Sequence, residues 1–216
     1  LSKAFSLCLD MPNKEYEMIS LHGAWGRERY VNRRKIHMGK QSIYSVRGHS
    51  SHEENPFMAL VTPDTSEDYG EVYGINLVYS GNFLAQVELT EGNTIRVVNG
   101  IHPETFKWKL DSGETFYTPE AVMTYTTEGI GQMSRNFHDM CRKHLLRGKY
   151  VHSDRPVLIN NWEATYFNFN TEKIISIAKK ASELGIEMLV LDDGWFGKRN
   201  TDDCSLGDWV VNEEKL

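Results

Sequence analysis

The chain contains 216 residues, with 30 acidic and 24 basic side chains and a formal net charge of −6 at pH 7. This mildly acidic balance argues against nucleic acid or an anionic membrane as a partner. Three cysteines without a C-x-x-C pattern and the lack of an Asn-x-Ser/Thr acceptor argue against a disulfide framework and suit a cytoplasmic protein.

The first part of the chain, residues 1–126, is predicted to be an antiparallel β-domain. Runs rich in Val, Ile, Tyr and Phe recur between turn signals such as Asn99-Gly100. Apolar and polar residues alternate along Phe83–Leu89, which is typical of a strand with one packed face. The predicted strands are 5–10, Tyr16–Leu21, Ser42–Val46, Phe57–Val61, Val72–Tyr79, Phe83–Leu89, Thr94–Val98 and Phe106–Leu110. A large β-sandwich follows from this pattern.

Residues 127–155 are predicted to form a linker helix and a polar connector. Apolar residues recur here at helical spacing: Ile130, Met133, Phe137, Met140, Cys141, His144 and Leu145. Basic residues precede Gly148, which is typical of a helix end. Pro156 then sets the entry to the next strand.

Residues 156–216 are predicted to begin with a β-α-β unit. A short apolar run is followed by residues at helical spacing: Ile174, Ile177, Ala178, Ala181 and Leu184. Asn170 or Thr171 can cap the helix, and Gly185 lies where a helix ends in the left-handed conformation. The run Ile186–Leu191 is too short and too β-branched for a second helix, so two parallel neighbouring strands are expected.

Polar and aromatic residues come where these two strands run out. Trp162 is expected to end the first strand, and Asp192 and Asp193 the second. Ligands bind at the carboxyl ends of strands in parallel α/β folds, where a ring can stack on a pyranose and carboxylates can accept hydroxyl hydrogen bonds. The alternative is that Asp192-Asp193-Gly194 forms a turn and the N-cap of the next element. For Trp162 the alternative is simple packing at the rim.

Three motifs in this region resemble glycoside hydrolase family 36, the retaining α-galactosidases. They are Leu-Ile-Asn-Asn-Trp-Glu-Ala-Thr-Tyr-Phe (158–167), Leu-Asp-Asp-Gly-Trp-Phe-Gly-Lys-Arg (191–199) and Leu-Gly-Asp-Trp (206–209). Similar stretches occur upstream, from Arg47-Gly-His-Ser-Ser-His to Met133-Ser-Arg-Asn-Phe-His, so the resemblance covers essentially the whole chain.

The resemblance implies a mixed fold: an N-terminal antiparallel β-supersandwich, a linker helix, and then the first strand, helix and second strand of a (β/α)8 TIM barrel. It implies hydrolysis of terminal α-D-galactosyl residues, as in melibiose or raffinose, without a cofactor or metal, by a homo-oligomer that is a tetramer in relatives. Asp192 and Asp193 match the pair that binds the galactose C4 and C6 hydroxyls, and Trp162 matches an aromatic of the same pocket.

The chain is also expected to be truncated at both ends. Leu1 opens close to a strand, and only about 60 residues follow Arg155, whereas a (β/α)8 barrel takes roughly 250. By resemblance, the nucleophile and the acid/base are Asp residues downstream of Leu216, so this chain by itself is expected to lack turnover.

Several alternatives stay open at this stage. The complete protein could transfer galactose, act on an N-acetylated substrate, or be a non-catalytic carbohydrate-binding sandwich. Trp195 and Trp209 are expected to be structural. The loop with His49, His52, Glu53 and Glu54 carries only a weak metal signal, because it has no helix and no nearby Cys, so no metal site is predicted.

Overall fold

The computed structural model describes residues 1–104 and 106–216. The chain divides into two compact units, residues 1–146 and 147–216. None of the helices among the described residues combines the length and the apolar character needed to cross a membrane. The division of the chain into domains at 1–126, 127–155 and 156–216 stays a prediction.

The first unit contains two antiparallel sheets. One has the strand order β1-β8-β7-β4 and the other the order β3-β2-β5-β6-β9. The strands are β1 (Ala4–Pro12), β2 (Glu17–Ala24), β3 (Arg27–Lys35), β4 (Gly39–Tyr44), β5 (Glu54–Val61), β6 (Val72–Val78), β7 (Phe83–Leu89), β8 (Thr94–Ile101) and β9 (Glu120–Thr126). This confirms the predicted antiparallel sandwich, with most strands within a few residues of the expected positions.

The main core lies between the two sheets. Phe83, Ala85 and Val87 of strand β7 pack in this core against Met58 and Leu60 of strand β5 from the other sheet. These side chains are fully buried or nearly so. The alternation along β7 therefore marks the inner face of its sheet, as its sequence predicted.

A second core covers the opposite face of β5. Here Ala59 and Val61 pack with Met133 and Phe137 of helix α1 (Gly129–Met140). Gly74 on β6 permits this close approach, because a Cβ there would lie 2.6 Å from a ring carbon of Phe137. Strand β5 is thus buried on both faces, which explains its unbroken apolar run.

The helix continues into one π-helical turn, Cys141–Leu145, whose five residues are not buried. The expectation that His144 and Leu145 share the packed face is therefore wrong. The wider turn rotates them away from the phase set by Met133 and Phe137.

The sequence prediction also differed from the structure at three strands. Strand β3 was missed because its residues, Arg-Glu-Arg-Tyr-Val-Asn-Arg-Arg-Lys, are all exposed and show no apolar alternation. Strand β9 was also missed. Phe106–Leu110 was predicted as a strand and is not one: Phe106 and Trp108 pack against Phe116 at 5.5 and 5.2 Å between ring centroids. These ring contacts are local and form no sheet, and Trp108 remains 51% exposed.

The second unit contains the predicted parallel pair. Strand β10 (Leu158–Asn160) pairs with β11 (Met188–Val190) in parallel register, with Ile159 opposite Leu189. Between them lie a short helix α2 (Trp162–Thr165) and helix α3 (Thr171–Glu183). This confirms the βαβ unit and the fold class of a sandwich followed by the start of a barrel.

Helix α3 has the ends that its sequence predicts. The Asn170 side chain accepts a hydrogen bond from the backbone N–H of Lys173 at 3.0 Å, so Asn170 rather than Thr171 is the N-cap. Gly185 has φ +82° and follows the last turn, as the prediction required.

We expect Asn170→Ala to destabilise α3 by about 1 kcal/mol, because the N–H of Lys173 loses its acceptor. Hydrogen exchange at the first turn of α3 in the 216-residue chain should become faster by about fivefold. Asn168→Ala is the matched control, because the hydrogen bonds that the structure gives Asn168 are made by its backbone. Equal exchange rates in the two variants would contradict the capping role.

Candidate functional site

The candidate site lies where the two parallel strands end. Asn160 and Asn161 follow the apolar part of β10, and Asp192 and Asp193 lie two and three residues beyond the last residue of β11. Because the strands are parallel neighbours, their carboxyl ends bring these four polar residues together. The structure therefore brings together the two predicted carboxylates with two amides that sequence reasoning left without a role.

Asp192 is held by both asparagines. The side-chain amide of Asn160 donates to Asp192 Oδ2 at 2.6 Å, and the backbone N–H of Asp193 donates to Oδ1 at 2.8 Å. Asn161 is fully buried, and its Oδ1 accepts the backbone N–H of Asp192 at 2.8 Å. Its amide group in turn donates to Thr165. The carboxylate and the backbone of Asp192 are thus both oriented from the end of β10.

Asp193 is held differently, through one oxygen. The backbone N–H of Gly194 and the guanidinium Nε of Arg199 both donate to Asp193 Oδ1, at 2.7 and 2.6 Å. Within the described residues no donor reaches Oδ2. The carboxylate is partly accessible, with 22% of the side chain exposed. Asp193 is therefore fixed in orientation while one oxygen keeps its full accepting capacity.

The hydrogen bond from Arg199 lowers the pKa of the Asp193 carboxyl below its ordinary value. A lowered folded-state pKa stabilises the native state above the unfolded-state pKa of about 3.9. That stabilisation is lost as the pH falls through the folded-state pKa. Asp193 is therefore an anion at neutral and mildly acidic pH. In this form its carboxylate only accepts hydrogen bonds.

Arg199 itself is buried, with 5% of its surface exposed. Its NH1 donates to the backbone carbonyls of Asp202 and Cys204, at 3.0 and 2.7 Å. The rings of Phe167 and Phe196 lie 5.9 Å from its guanidinium carbon. The loop after Asp193 is thus wrapped around this cation.

Gly194 allows the turn that carries the two carboxylates. Its φ is +83°, and a Cβ there would lie 2.8 Å from a ring carbon of Phe167. The turn interpretation of Asp192-Asp193-Gly194 is therefore right, but no helix follows it in residues 195–216, so the N-cap interpretation is wrong. The turn interrupts the regular alternation by which adjacent side chains of a straight strand point to opposite faces.

Trp162 lies after the first strand and not at its end, because β10 stops at Asn160 and Trp162 opens the short helix α2. Its backbone N–H donates to Asn160 Oδ1 at 2.8 Å. The Asn160 side chain thus joins Trp162 to Asp192. The half-buried indole packs edge-on against Tyr166 and Phe167, at 5.3 and 4.9 Å between centroids. Its role in substrate binding stays a prediction, as do those of Asp192 and Asp193.

Trp195 and Trp209 belong to an aromatic cluster around Phe196. The Phe196 ring lies 5.2 Å from Trp195 and 4.6 Å from Trp209, between centroids. Phe196 is buried, whereas Trp209 is 64% exposed. The structural role expected for both tryptophans stays a prediction.

The histidine-rich loop makes other contacts. Glu53 pairs with Arg47 at 2.5 Å, Glu54 pairs with His22 at 3.0 Å, and His49 contacts the carbonyl of Ser50. Across residues 1–104 and 106–216, no three His, Cys, Asp or Glu side chains are grouped so as to hold a metal ion.

Comparison with known proteins agrees with this architecture. Residues 1–111 match the family model of the glycosyl hydrolase family 36 N-terminal domain, and residues 115–216 match the Melibiase model. The chain is 54% identical over its whole length to the α-galactosidase AgaA of Geobacillus stearothermophilus, and 49% to the α-galactosidase Mel36A of Lactobacillus acidophilus. It spans 30% of the length of each of these curated relatives.

Solved structures show the same relationship. The crystal structure of AgaA superimposes with a TM-score of 0.97 at 54% identity, covering 100% of this chain and 30% of AgaA. A variant of AgaA in complex with raffinose matches with a TM-score of 0.97 at 53% identity over the same shares, and another in complex with stachyose with a TM-score of 0.96.

Fold and site together define a β-sandwich followed by the start of a barrel, with polar residues at the carboxyl ends of its two parallel strands. Within that class, the chain belongs to glycoside hydrolase family 36. The resemblance seen in its sequence motifs is thereby confirmed.

Proposed function

We propose that the complete protein carrying this chain is a retaining α-galactosidase, which hydrolyses terminal α-D-galactosyl residues of oligosaccharides such as melibiose and raffinose. The observation that carries the proposal is the alignment of the whole chain with α-galactosidases at 45% identity or more. The complexes of AgaA variants with raffinose and stachyose support an oligosaccharide as the substrate.

In this proposal, Asp192 and Asp193 bind the galactose hydroxyls at C4 and C6, and Trp162 lines the same pocket. The axial C4 hydroxyl distinguishes galactose from glucose. A carboxylate placed to accept that hydroxyl would be left unpaired by a glucoside, and such mismatches discriminate strongly. The unoccupied Oδ2 of Asp193 and the oriented carboxylate of Asp192 support these roles.

The two carboxylates are binding groups in this proposal, and the catalytic pair lies outside residues 1–216. A retaining glycosidase needs an acid with a raised pKa and a nucleophile about 5–5.5 Å away, and it needs no cofactor. The Arg199 hydrogen bond lowers the pKa of Asp193, which is opposite to the requirement for a general acid. We also propose that the complete protein is a cytoplasmic homo-oligomer, a tetramer by resemblance.

The test is nitrophenol release by the complete wild-type protein from 4-nitrophenyl α-galactoside, α-glucoside and α-N-acetylgalactosaminide. We expect turnover of the galactoside, with α-galactose as the first product in proton NMR. Turnover of another glycoside alone would overturn the substrate. Galactose transfer to a sugar acceptor without hydrolysis would favour a transferase, and binding without turnover would favour a non-catalytic protein.

A further inference from the structure

The guanidinium of Arg199 contacts both the loop that follows Asp193 and the carboxylate of Asp193 itself. Arg199 is 5% exposed, and burying a charge is costly unless it is paired and hydrogen-bonded. Its two carbonyl contacts, to Asp202 and Cys204, lie on NH1. These two contacts would already anchor the loop, yet the remaining hydrogen bond, from Nε, is directed to the carboxylate of Asp193.

That contact determines which oxygen of Asp193 remains available. Arg199 and the N–H of Gly194 both donate to Oδ1, so both hydrogen bonds are made to the same carboxylate oxygen. Charge-assisted hydrogen bonds of this kind are short and strong, and two donors on one oxygen resist rotation of the carboxylate. The side chain of Asp193 is therefore held with Oδ2 as the oxygen that can accept from a ligand.

A second cation holds the backbone of the same turn. Lys215 donates to the carbonyl of Gly194 and to Asn200 Oδ1, both at 3.1 Å. It makes no hydrogen bond to Asp193 within the described residues. The two cations thus have separate tasks: Lys215 fixes the peptide after Asp193, and Arg199 fixes the carboxylate itself.

We propose that Arg199 is a positioning residue for substrate recognition, which holds the Asp193 carboxylate with Oδ2 directed to a hydroxyl of the glycone. The inference rests on the proposed function, because it takes Asp193 as a group that binds the sugar. Arg199 acts through Asp193 and does not itself touch the substrate.

The test measures kcat and KM of the complete protein on 4-nitrophenyl α-galactoside, for wild type, Arg199→Ala and Arg199→Lys. Loss of a charge-assisted hydrogen bond that orients a binding group should raise KM by about 10- to 100-fold in Arg199→Ala, with a smaller change in kcat. Arg199→Lys keeps the charge and should lie between wild type and Arg199→Ala. Millimolar guanidinium should lower the KM of Arg199→Ala towards the wild-type value.

Lys198→Ala is the matched control, because Lys198 is the neighbouring cation and is exposed. It should keep KM within about twofold of wild type and should not respond to guanidinium. A purely structural role of Arg199 would lower the active fraction, and therefore kcat, at an unchanged KM. That pattern in Arg199→Ala overturns the inference. If Arg199→Ala does not fold, a wild-type KM in Arg199→Lys overturns it.

The failure of this inference can be separated from the failure of the proposed function. Wild-type turnover of the galactoside with unaltered KM in both Arg199 variants removes only the role of Arg199. A wild-type protein that does not act on the galactoside removes the proposed function, and the inference with it.

Discussion

Asp193→Asn should reduce kcat/KM of the complete protein on 4-nitrophenyl α-galactoside by about 100- to 1,000-fold. Asparagine keeps the size of the side chain, and its amide oxygen can still accept from Arg199 and Gly194, as Asp193 Oδ1 does now. Its amide nitrogen then takes the place of Oδ2 and donates where a hydroxyl must be accepted. The expected loss is therefore one of sugar recognition, measured from initial rates of nitrophenol release.

Asparagine is more informative here than alanine. Asp193→Ala would leave Arg199 buried without its carboxylate, and breaking a buried ion pair destabilises a protein by about 3–5 kcal/mol. Activity and stability would then fall together. Asp193→Asn also removes the charge that pairs with Arg199 but keeps the hydrogen-bond acceptor, so its thermal midpoint should fall less than that of Asp193→Ala. The fraction of folded Asp193→Asn at the assay temperature then separates loss of stability from loss of sugar recognition.

Asp203→Asn provides the control for this substitution. Asp203 lies in the same loop, is exposed, and is hydrogen-bonded by the hydroxyl of Thr201. Within the described residues it makes no hydrogen bond to Asp192, Asp193 or Arg199, and it interacts with Arg199 only through its charge, so the activity of Asp203→Asn should match wild type. Asp192→Asn should lose activity as Asp193→Asn does. Wild-type kcat/KM in either site variant would contradict the assignment of that carboxylate to the sugar.

The sequence was sufficient to predict an element wherever the spacing of its apolar residues matched the face that is buried in the structure. Alternation along Phe83–Leu89 located a strand to the residue, and Asn170 and Gly185 marked the ends of helix α3. Strand β3 was not predicted because none of its residues is buried. The strand is held by pairing with β2, where Val31 lies opposite Leu21. Backbone hydrogen bonds to a neighbouring strand leave no trace in side-chain periodicity.

The site was predicted in part, and the missing part has one physical cause. Asp192 and Asp193 follow an apolar strand directly, so the sequence placed them at the rim. Arg199 reaches back to Asp193 across an irregular loop that begins with the left-handed Gly194. No periodicity relates residues six apart in such a loop. The available signals were the Asn-Asn pair after the first strand and the arginine within the second motif, although neither by itself specifies a partner.

The largest stability effect is expected from Phe83→Ala. Phe83 is fully buried in the core between the two sheets, and replacing a buried Phe by Ala typically costs about 3–5 kcal/mol. Its strand β7 pairs with β8 on one side and β4 on the other, so the lost packing lies at the centre of its sheet. Hydrogen exchange of the β8 amides in the 216-residue chain should therefore become about 100- to 4,000-fold faster.

Gln86→Ala tests whether this cost comes from the core or from the strand. Gln86 lies on the same strand, three residues on and on the opposite face, and it is not buried. Both substitutions introduce alanine into β7, so their effects on intrinsic strand propensity are similar in size and small. Gln86→Ala should change the β8 exchange rates by less than about threefold. Comparable acceleration in the two variants would mean that strand propensity, and not packing between the sheets, dominates the stability of this unit.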